Sequence, residues 1–426
     1  MNLTRRRDIS PFRSLGLSIY LPSTLMAVAQ MAMLVVLPLY IIELGQGLSV
    51  AAFVFAMRGL GSVLVNVPAS LVIARHGHKT GMVIGNALMA ASAVTIAVSA
   101  STGVVAVATL VFGGGMGTWL LARLSYITER VPNHQRGTSL AGLAGLQRFG
   151  MLVGPLLGGF GAERFGYALV FLVIGALALT TMVVVGRFAS VTTSDLAQGS
   201  GQPPAHHQTP AFSGLLTVVP TILARHRQVF LGAGVFTFCL QLVREQRRLL
   251  VVLWGTAIGV EVDAIGLIVS SASVVDMAMF PVAGYVMDHW GRKVAGVGCI
   301  TMLGGALGLL PFTETTLPYL GVAALAALGN GLGSGIILTM GADLSPAHER
   351  SQFLGVWRMV GDTGALIGPL LTAIVGSLVV ALGVSSLIGL TGGLLLWCKA
   401  RETLAREPHT PVDRSGTGLP NQTQAM

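Results

Sequence analysis

Apolar runs of about 20 residues recur from one end of this chain to the other, and a water-soluble core has no place for so many of them. They cover 17–41, 48–74, 80–99, 104–127, 138–162, 166–186, 229–257, 262–287, 294–312, 318–342, 351–377 and 380–398. Each can form a helix across a hydrocarbon layer of roughly 30 Å, where backbone polar groups must be satisfied within the segment. Glycine and proline recur inside the runs, which membrane helices tolerate. Of the 426 residues, 53% are hydrophobic and 10% charged, against about 25% charged in soluble domains. The mean hydropathy of +0.76 agrees. The expected fold class is an all-α integral membrane protein with twelve transmembrane helices.

The formal charge is +9, and a basic chain invites a nucleic-acid reading. The placement of the charges argues against it. Arg58, Arg123, Arg148, Arg244, Arg247, Arg248 and Arg358 lie inside the runs, and Arg164 lies on one side of them. The other 18 of the 26 Lys and Arg fall on the opposite set of loops and on the two tails. That bias places both termini in the cytoplasm. The chain divides into an N-terminal arm at 1–16, a first set of six spans at 17–186, a linker at 187–228, a second set at 229–398 and a tail at 399–426. The linker and the tail read as flexible, cytoplasmic segments. Arg5, Arg6 and Arg7 precede an apolar run and so resemble a signal peptide, but the run continues to Ile42 and is expected to stay as the first helix. Cys239, Cys299 and Cys398 sit singly, with no metal spacing, and His206 and His207 fit a solvated linker.

The two sets repeat each other. Leu34-Val35-Val36-Leu37 recurs as Leu250-Val251-Val252-Leu253, and Gly115-Met116-Gly117 as Gly331-Leu332-Gly333, both 216 residues on. Pro132 and Arg136 recur as Pro346 and Arg350, and Gly150-x-x-x-Gly154-Pro155 as Gly364-x-x-x-Gly368-Pro369, both 214 on. An in-order repeat of this size reads as a parallel duplication.

Gly284-Tyr-Val-Met-Asp288-His-Trp-Gly291-Arg292-Lys293 separates two runs of the second set, and a weaker copy around Gly77 and Lys79 separates the matching runs of the first. Gly291 suits a tight reversal because it lacks a Cβ. The second copy resembles the loop signature of the major facilitator superfamily, with His289 in place of an arginine. The resemblance covers nearly the whole chain. It implies two pseudo-symmetric six-helix bundles, alternating access, and a conformational latch made by Gly284, Asp288, Gly291, Arg292, Lys293, Gly77 and Lys79. In such a latch Asp288 would dock at the start of the fifth span, near Arg136, when the inner side closes. The string Gly150-x-x-x-Gly154-Pro155-x-x-Gly158-Gly159 resembles the motif that marks proton-coupled exporters of that family. Its plain alternative is a small-residue packing seam. The family's fourth-span arginine falls here on Val111.

Charges in a span are costly without partners, and they point to a pathway. Arg58, Arg148, Asp276, Arg358 and Asp362 fall at mid-span. Arg358 and Asp362, four apart, share a face and can pair. Arg148 and Asp362 occupy equivalent places in the repeat and could meet across a central cavity. The seventh span holds Gln241, Arg244, Glu245, Gln246, Arg247 and Arg248, which must face protein or water unless the helix breaks there. Arg123, near a span end, is expected to snorkel. The candidate pathway is Arg58, Arg148, Gln241, Arg244, Glu245, Arg248, Asp276, Arg358 and Asp362, with Asp276, Asp362 and Glu245 able to carry protons. The alternative is that these ions only fix helix packing. The arginine excess favours cargo with an anionic or strongly polar group.

These features describe a secondary active transporter of the plasma (inner) membrane, expected to export small amphipathic drugs or metabolites against protons. Uptake of a small organic solute, such as a sugar or organic anion, and a non-transporting sensor are the alternatives. A phosphate-binding Gly-x-x-x-x-Gly-Lys-Ser/Thr string, His-Glu-x-x-His and Gly-x-Ser-x-Gly are all missing, so neither an ATP-driven pump nor a hydrolase is expected. The expected partners are a small-molecule substrate, protons and membrane lipid, with no nucleic acid. No cofactor beyond the proton gradient and no metal are expected, and the chain is expected to act as a monomer.

Overall fold

The computed structural model describes residues 16–131, 133–189, 212–400 and 402, and shows helices and no strand among them. The first half comprises α1 (Leu21–Glu43), α2 (48–76), α3 (78–98), α4 (Thr102–Arg130), α5 (Asn133–Phe165) and α6 (Tyr167–Phe188). A helix in the linker, α7 (Phe212–Arg225), precedes the second half. That half comprises α8 (Val235–Ala257), α9 (Val262–Ala278), α10 (Phe280–His289), α11 (Arg292–Leu309), α12 (Thr316–Leu332), α13 (Ile336–Leu344), α14 (Arg350–Val375) and α15 (Leu378–Lys399). Among the described residues nine helical stretches are long and apolar enough to cross a membrane. One of these, Leu48–Val98, is two spans divided at Gly77, and α5 and the charged α8 complete twelve. The pairs α9–α10 and α12–α13 each form one broken span.

Positive-φ glycines set the turns, and they show the duplication. Gly77 (φ 85) and Gly291 (φ 107) break the chain at the two signature loops, where a Cβ would clash with the backbone. They lie 214 residues apart, as do Gly45 (φ 75) and Gly259 (φ 76) after α1 and α8. Side-chain contacts repeat at the same distance. Tyr40 Oη donates to Ser99 O at 2.8 Å, and Trp254 Nε1 donates to Thr313 O at 3.2 Å. A Cβ on Gly154 would lie 2.7 Å from Val28 O, and one on Gly368 would lie 2.8 Å from Leu242 O. Gly115 packs on the backbone at Gly85, and Gly329 on the backbone at Cys299.

The repeat is therefore in one register of 214, which corrects the two sequence matches at 216. Runs of leucine and valine match themselves at neighbouring shifts. Gly329-Asn330-Gly331-Leu332-Gly333 offers the Gly-x-Gly pattern twice, and the fold uses the earlier one.

Each half has its own core. Phe55, Phe112, Trp119 and Phe171 are buried in the first, and Phe236, Leu240, Ile300 and Tyr319 in the second. The halves meet through α5 against α9 and through α2 against α14. Their closest approaches lie on the face opposite Leu21 and Lys399. There a Cβ on Gly159 would fall 2.6 Å from Val262 O and 2.9 Å from Gly266 Cα, and one on Gly376 would fall 3.2 Å from Ser49 Oγ. Val35, Leu39, Val252 and Ile265 form a small core that joins α1, α8 and α9 at the same level. The far face is thus closed. On the side of Leu21 and Lys399 the halves part: Arg358 and Asp362, two turns and one turn before Leu366 on α14, have side chains 65% and 41% exposed. Leu366 itself faces α2 at Gly59, so this row of α14 looks into the gap between the halves.

Part of the linker differs from the flexible segment expected. Residues 190–211 lie outside the described residues, but α7 is helical, with Ile222 buried in the second core. Its apolar spacing at Val218, Val219, Ile222 and Leu223 carries the helical period. The end of α7 is tied to the loop before α14: Arg225 Nη1 donates to Glu349 Oε2 at 2.9 Å and His226 Nε2 to Glu349 Oε1 at 2.7 Å. The His226 hydrogen bond holds the Glu349 carboxyl below its ordinary 4.5 against desolvation, with further help from the Arg225 charge. A depressed carboxyl contributes stability that is present above the ordinary value and is lost as pH falls through the depressed one. Glu349→Gln is therefore expected to speed hydrogen exchange in α7 at neutral pH and to match the wild type in strong acid. Equal exchange at neutral pH would show that the clamp contributes nothing.

The tail also departs from expectation at its start. Glu402 accepts the backbone N–H groups of Arg292 at 2.9 Å and Lys293 at 3.1 Å, so it caps the N-terminus of α11 at the signature loop.

Candidate functional site

The site is built around α8. One side of this helix, through Phe236, Leu240, Val243 and Leu250, is buried in the second core. Gln241, Arg244, Glu245 and Arg248 recur at three- and four-residue steps and form a polar stripe along it. The stripe faces protein and the space between the halves, as a charged stripe in a spanning helix must face protein or water. Glu245 is its centre. Arg58 of α2 donates through Nη2 to Glu245 Oε2 at 3.2 Å, and Arg248 pairs with Glu245 Oε1. The Arg58 contact crosses between the halves. Arg244 Nη2 donates to Gly333 O at 2.9 Å, and Nη1 reaches Gln241 Oε1 at 3.5 Å, so its charge rests on neutral oxygens.

One turn away a second group forms. Asp276 of α9 has a side chain 1% exposed. Its Oδ2 accepts from Asn330 Nδ2 of α12 at 2.6 Å and lies 3.8 Å from Arg247 Nη2. Asp276 Oδ1 and Arg247 Nε are buried without hydrogen-bond partners. This carboxylate is therefore held on one oxygen and open on the other. Arg247 is a span charge outside the candidate pathway read from the sequence, and Asn330 is not among the residues that the sequence pattern picks out. A lone amide in an otherwise apolar span was the available signal.

Between the halves lies a narrow cavity of about 60 Å³, set in a wider space of about 590 Å³ that is shared with solvent. Leu34 and Val35 of α1, Met151 of α5, and Val251 and Val269 of the second half form apolar wall, and Arg247 and Arg248 are its charged lining. The Arg148 guanidinium of α5 stacks 3.9 Å from the centre of the Phe280 ring of α10, another contact across the halves. Arg148 and Asp362 do not meet, because Asp362 is held by Arg358 at 3.6 Å on the exposed row of α14. Gln246 is buried on the opposite side and accepts from Thr372 Oγ1 at 2.6 Å, fastening α8 to α14. Arg123 does not snorkel. It is 4% exposed, with its guanidinium 5.6 Å from the Trp119 ring centre, because that face of α4 packs inward.

The glycine string of α5 serves two contacts. Gly150, Gly154 and Gly158 seat α5 against α1 within the first half, at Ala27, Val28 and Ala32. Gly159 points the other way and meets Gly266 of α9, while a Cβ on Gly266 would lie 2.5 Å from Pro155 O. The signature loop is self-contained in this state. Arg292 pairs with Asp288 at 3.5 Å and Asp343 at 3.2 Å, and Lys293 lies over the Trp397 ring at 5.0 Å. The Asp288 side chain is 69% exposed. Gly284 lies in α10, and Gly77 and Lys79 bound the turn into α3. Arg136 belongs to α5, and its side chain lies outside the described residues. With the far face closed, Asp288 is bound within its own half.

Known proteins resemble this arrangement at two levels. A 26% identical relative, over 80% of this chain and 83% of its own length, is the "Multi-drug resistance efflux pump PmrA homolog" of Lactococcus lactis subsp. lactis (strain IL1403). The "Bacillibactin exporter" of Bacillus subtilis (strain 168) is 29% identical over 26% of this chain and 30% of its own. Among solved structures, a POT family transporter in complex with 5-aminolevulinic acid superposes with a TM-score of 0.71 at 12% identity, covering 90% of this chain and 95% of the other. The same coverage and a TM-score of 0.72 at 13% identity hold for a POT family transporter with a thioalcohol-conjugated peptide. At those identities the structures speak for the fold alone. The sequence pattern of the Major Facilitator Superfamily matches residues 20–253 and again 249–421. A duplicated six-span unit, a polar slot between its copies and a family match over nearly the whole length make this chain a member of the major facilitator superfamily, a multi-pass membrane transporter rather than an enzyme.

Proposed function

We propose that this transporter exports small amphipathic compounds in exchange for protons, by alternating access across the plasma membrane, with both termini in the cytoplasm. The observation that carries this reading is the cavity between the halves, with the far face closed above it and the carboxylates Asp276, facing Arg247, and Glu245, paired with Arg58 and Arg248, beside it. A proton that reaches such a carboxylate removes the counter-charge of its arginine, so occupancy by a proton alters both the cavity's charge and the contacts that link the halves. Glu245 is tied to Arg58 of the other half, and Arg148 to Phe280, so a change of charge here bears directly on how the halves pack. The named relatives support efflux over uptake. The proton gradient is the energy source of this reading, with no further cofactor.

Flux from proteoliposomes under an imposed pH gradient tests it. The expected result is movement of a labelled amphipathic compound opposite to the proton flow, stopped by an uncoupler. Movement in the same direction as protons makes the protein an importer, and no movement of any compound in a broad panel leaves a sensor.

A further inference from the structure

We propose that the cargo site selects amphipathic organic anions, with the anionic head taken by Arg247 and Arg248 and the apolar body laid against the wall formed by Leu34, Val35, Met151 and Val269. This deepens the export reading and rests on the same cavity, although binding of such an anion does not require the direction or the coupling to be right.

The charge balance of the slot points this way. Arg247 and Arg248 line it, and Arg58, Arg148 and Arg244 are further arginines of the interhalf site, whereas the carboxylates in ionic contact with these five are Glu245 and Asp276 alone among the described residues. Glu245 is divided between Arg58 and Arg248. Asp276 commits its Oδ2 to Asn330 at 2.6 Å and stands off Arg247 at 3.8 Å, beyond hydrogen-bond length. Arg247 is thus weakly countered, and its Nε is buried with no acceptor. Arg148 has a ring and no carboxylate in contact, and Arg244 has neutral oxygens. A buried guanidinium without an anion is costly, and the planar donor fork of arginine matches a carboxylate, sulfonate or phosphate.

The shape of the cavity narrows the class. Apart from Arg247, Arg248 and Ser273, the lining is apolar. A small inorganic anion would leave that wall in contact with water, whereas an aryl or alkyl group attached to the anion would cover it. An organic cation would meet the two guanidinium groups that are the charged lining of the slot, and like charges at close range are strongly disfavoured.

Three naphthalene probes of matched size decide the point: 2-naphthoate, 2-naphthylmethanol and 2-naphthylmethylammonium. Their binding is measured to the full-length protein in phosphatidylcholine nanodiscs, and their efflux from proteoliposomes under a pH gradient. Naphthoate is expected to bind at least about tenfold more tightly than the ammonium probe. Arg247→Gln and Arg248→Gln are each expected to reduce the preference for naphthoate over the alcohol by about tenfold, and Arg247→Lys to restore part of it. Should a glutamine variant fail to fold, the wild-type series and Arg247→Lys still decide. Equal or tighter binding of the ammonium probe overturns the proposal, as does a naphthoate preference that survives both glutamine changes. Displacement of naphthoate by phosphatidylglycerol added to the discs assigns the site to a lipid headgroup, which also overturns it. Export of the ammonium probe with rejection of naphthoate sinks the cargo class and leaves the export reading standing. Arginine-dependent naphthoate binding without gradient-driven flux does the reverse.

Discussion

Gly159→Leu is expected to lower transport by about a hundredfold and to hold the far face open. The contact it disrupts is backbone on backbone. Even a Cβ at this position would lie 2.6 Å from Val262 O and 2.9 Å from Gly266 Cα, and no flexible side chain is there to yield. Overpacking at a rigid site costs up to about 3 kcal/mol. Imposed on one of two states, that penalty shifts their populations by about a hundredfold, since each 1.4 kcal/mol is roughly a factor of ten. Spin labels at Ser101 and Glu314, both exposed on the far side of their halves, read the outcome as a longer distance. Gly154→Leu makes the contrast. Gly154 packs on Val28 and Ala32 of α1 inside one half, so the change is expected to lower the thermal unfolding midpoint and leave the label distance as in the wild type. If Gly159→Leu keeps the wild-type distance and rate, the far-face closure seen here takes no part in transport.

That contrast shows how far the sequence could be read. The glycine string was visible as one motif, because spacing of four puts glycines on one helix face. Gly158 and Gly159 are neighbours, however, and successive helix residues point about 100° apart. Their partners, Val36 of α1 and Gly266 of α9, belong to different halves, and only packing in three dimensions assigns them. The twelve spans and the positive-φ glycine of the signature loop were legible for a local reason: hydropathy and turn chemistry act over a few residues. The register of the repeat was half legible, since Leu-Val runs match at several shifts while Tyr40 with Ser99 and Trp254 with Thr313 match at one. The seventh-span charges announced themselves by their cost in a membrane. Their partners were a different matter. Arg58 with Glu245 is separated by most of one repeat, Arg247 with Asp276 joins two helices, and Asn330 completes that pair from a third. Arg148 and Asp362 were matched by the repeat itself, but a pseudo-symmetry that relates two positions does not bring them into contact. Arg148 found an aromatic ring, and Asp362 its own helical neighbour.

Asp276→Asn is expected to abolish pH-driven transport while cargo exchange without a gradient persists. The change is nearly isosteric, so Asn330 keeps a partner and the cavity keeps its shape, but Arg247 loses the carboxylate it faces. Breaking a buried pair from one side costs about 3–5 kcal/mol when the remaining charge has nowhere to turn. Here Arg247 lines the cavity and can turn toward cargo or water, so the loss is expected to fall on coupling more than on folding. A carboxylate that only fixes packing predicts the opposite pattern, with a lower unfolding midpoint and a transport rate that still rises and falls with the gradient. Glu245→Gln separates the two candidates. Glu245 ties Arg58 of the first half to Arg248 of the second, and its loss is expected to shift the balance of states, visible in the Ser101–Glu314 distance, whereas Asp276→Asn leaves that distance unchanged. Asp362 is the weaker candidate on physical grounds. Its side chain is 41% exposed and its ion pair, with Arg358 one turn away, stays within α14, so its protonation has little leverage on how the halves pack. Retention of full pH-driven transport by Asp276→Asn, together with its loss in Glu245→Gln, moves the proton to the stripe on α8 and leaves Asp276 as the group that positions Arg247.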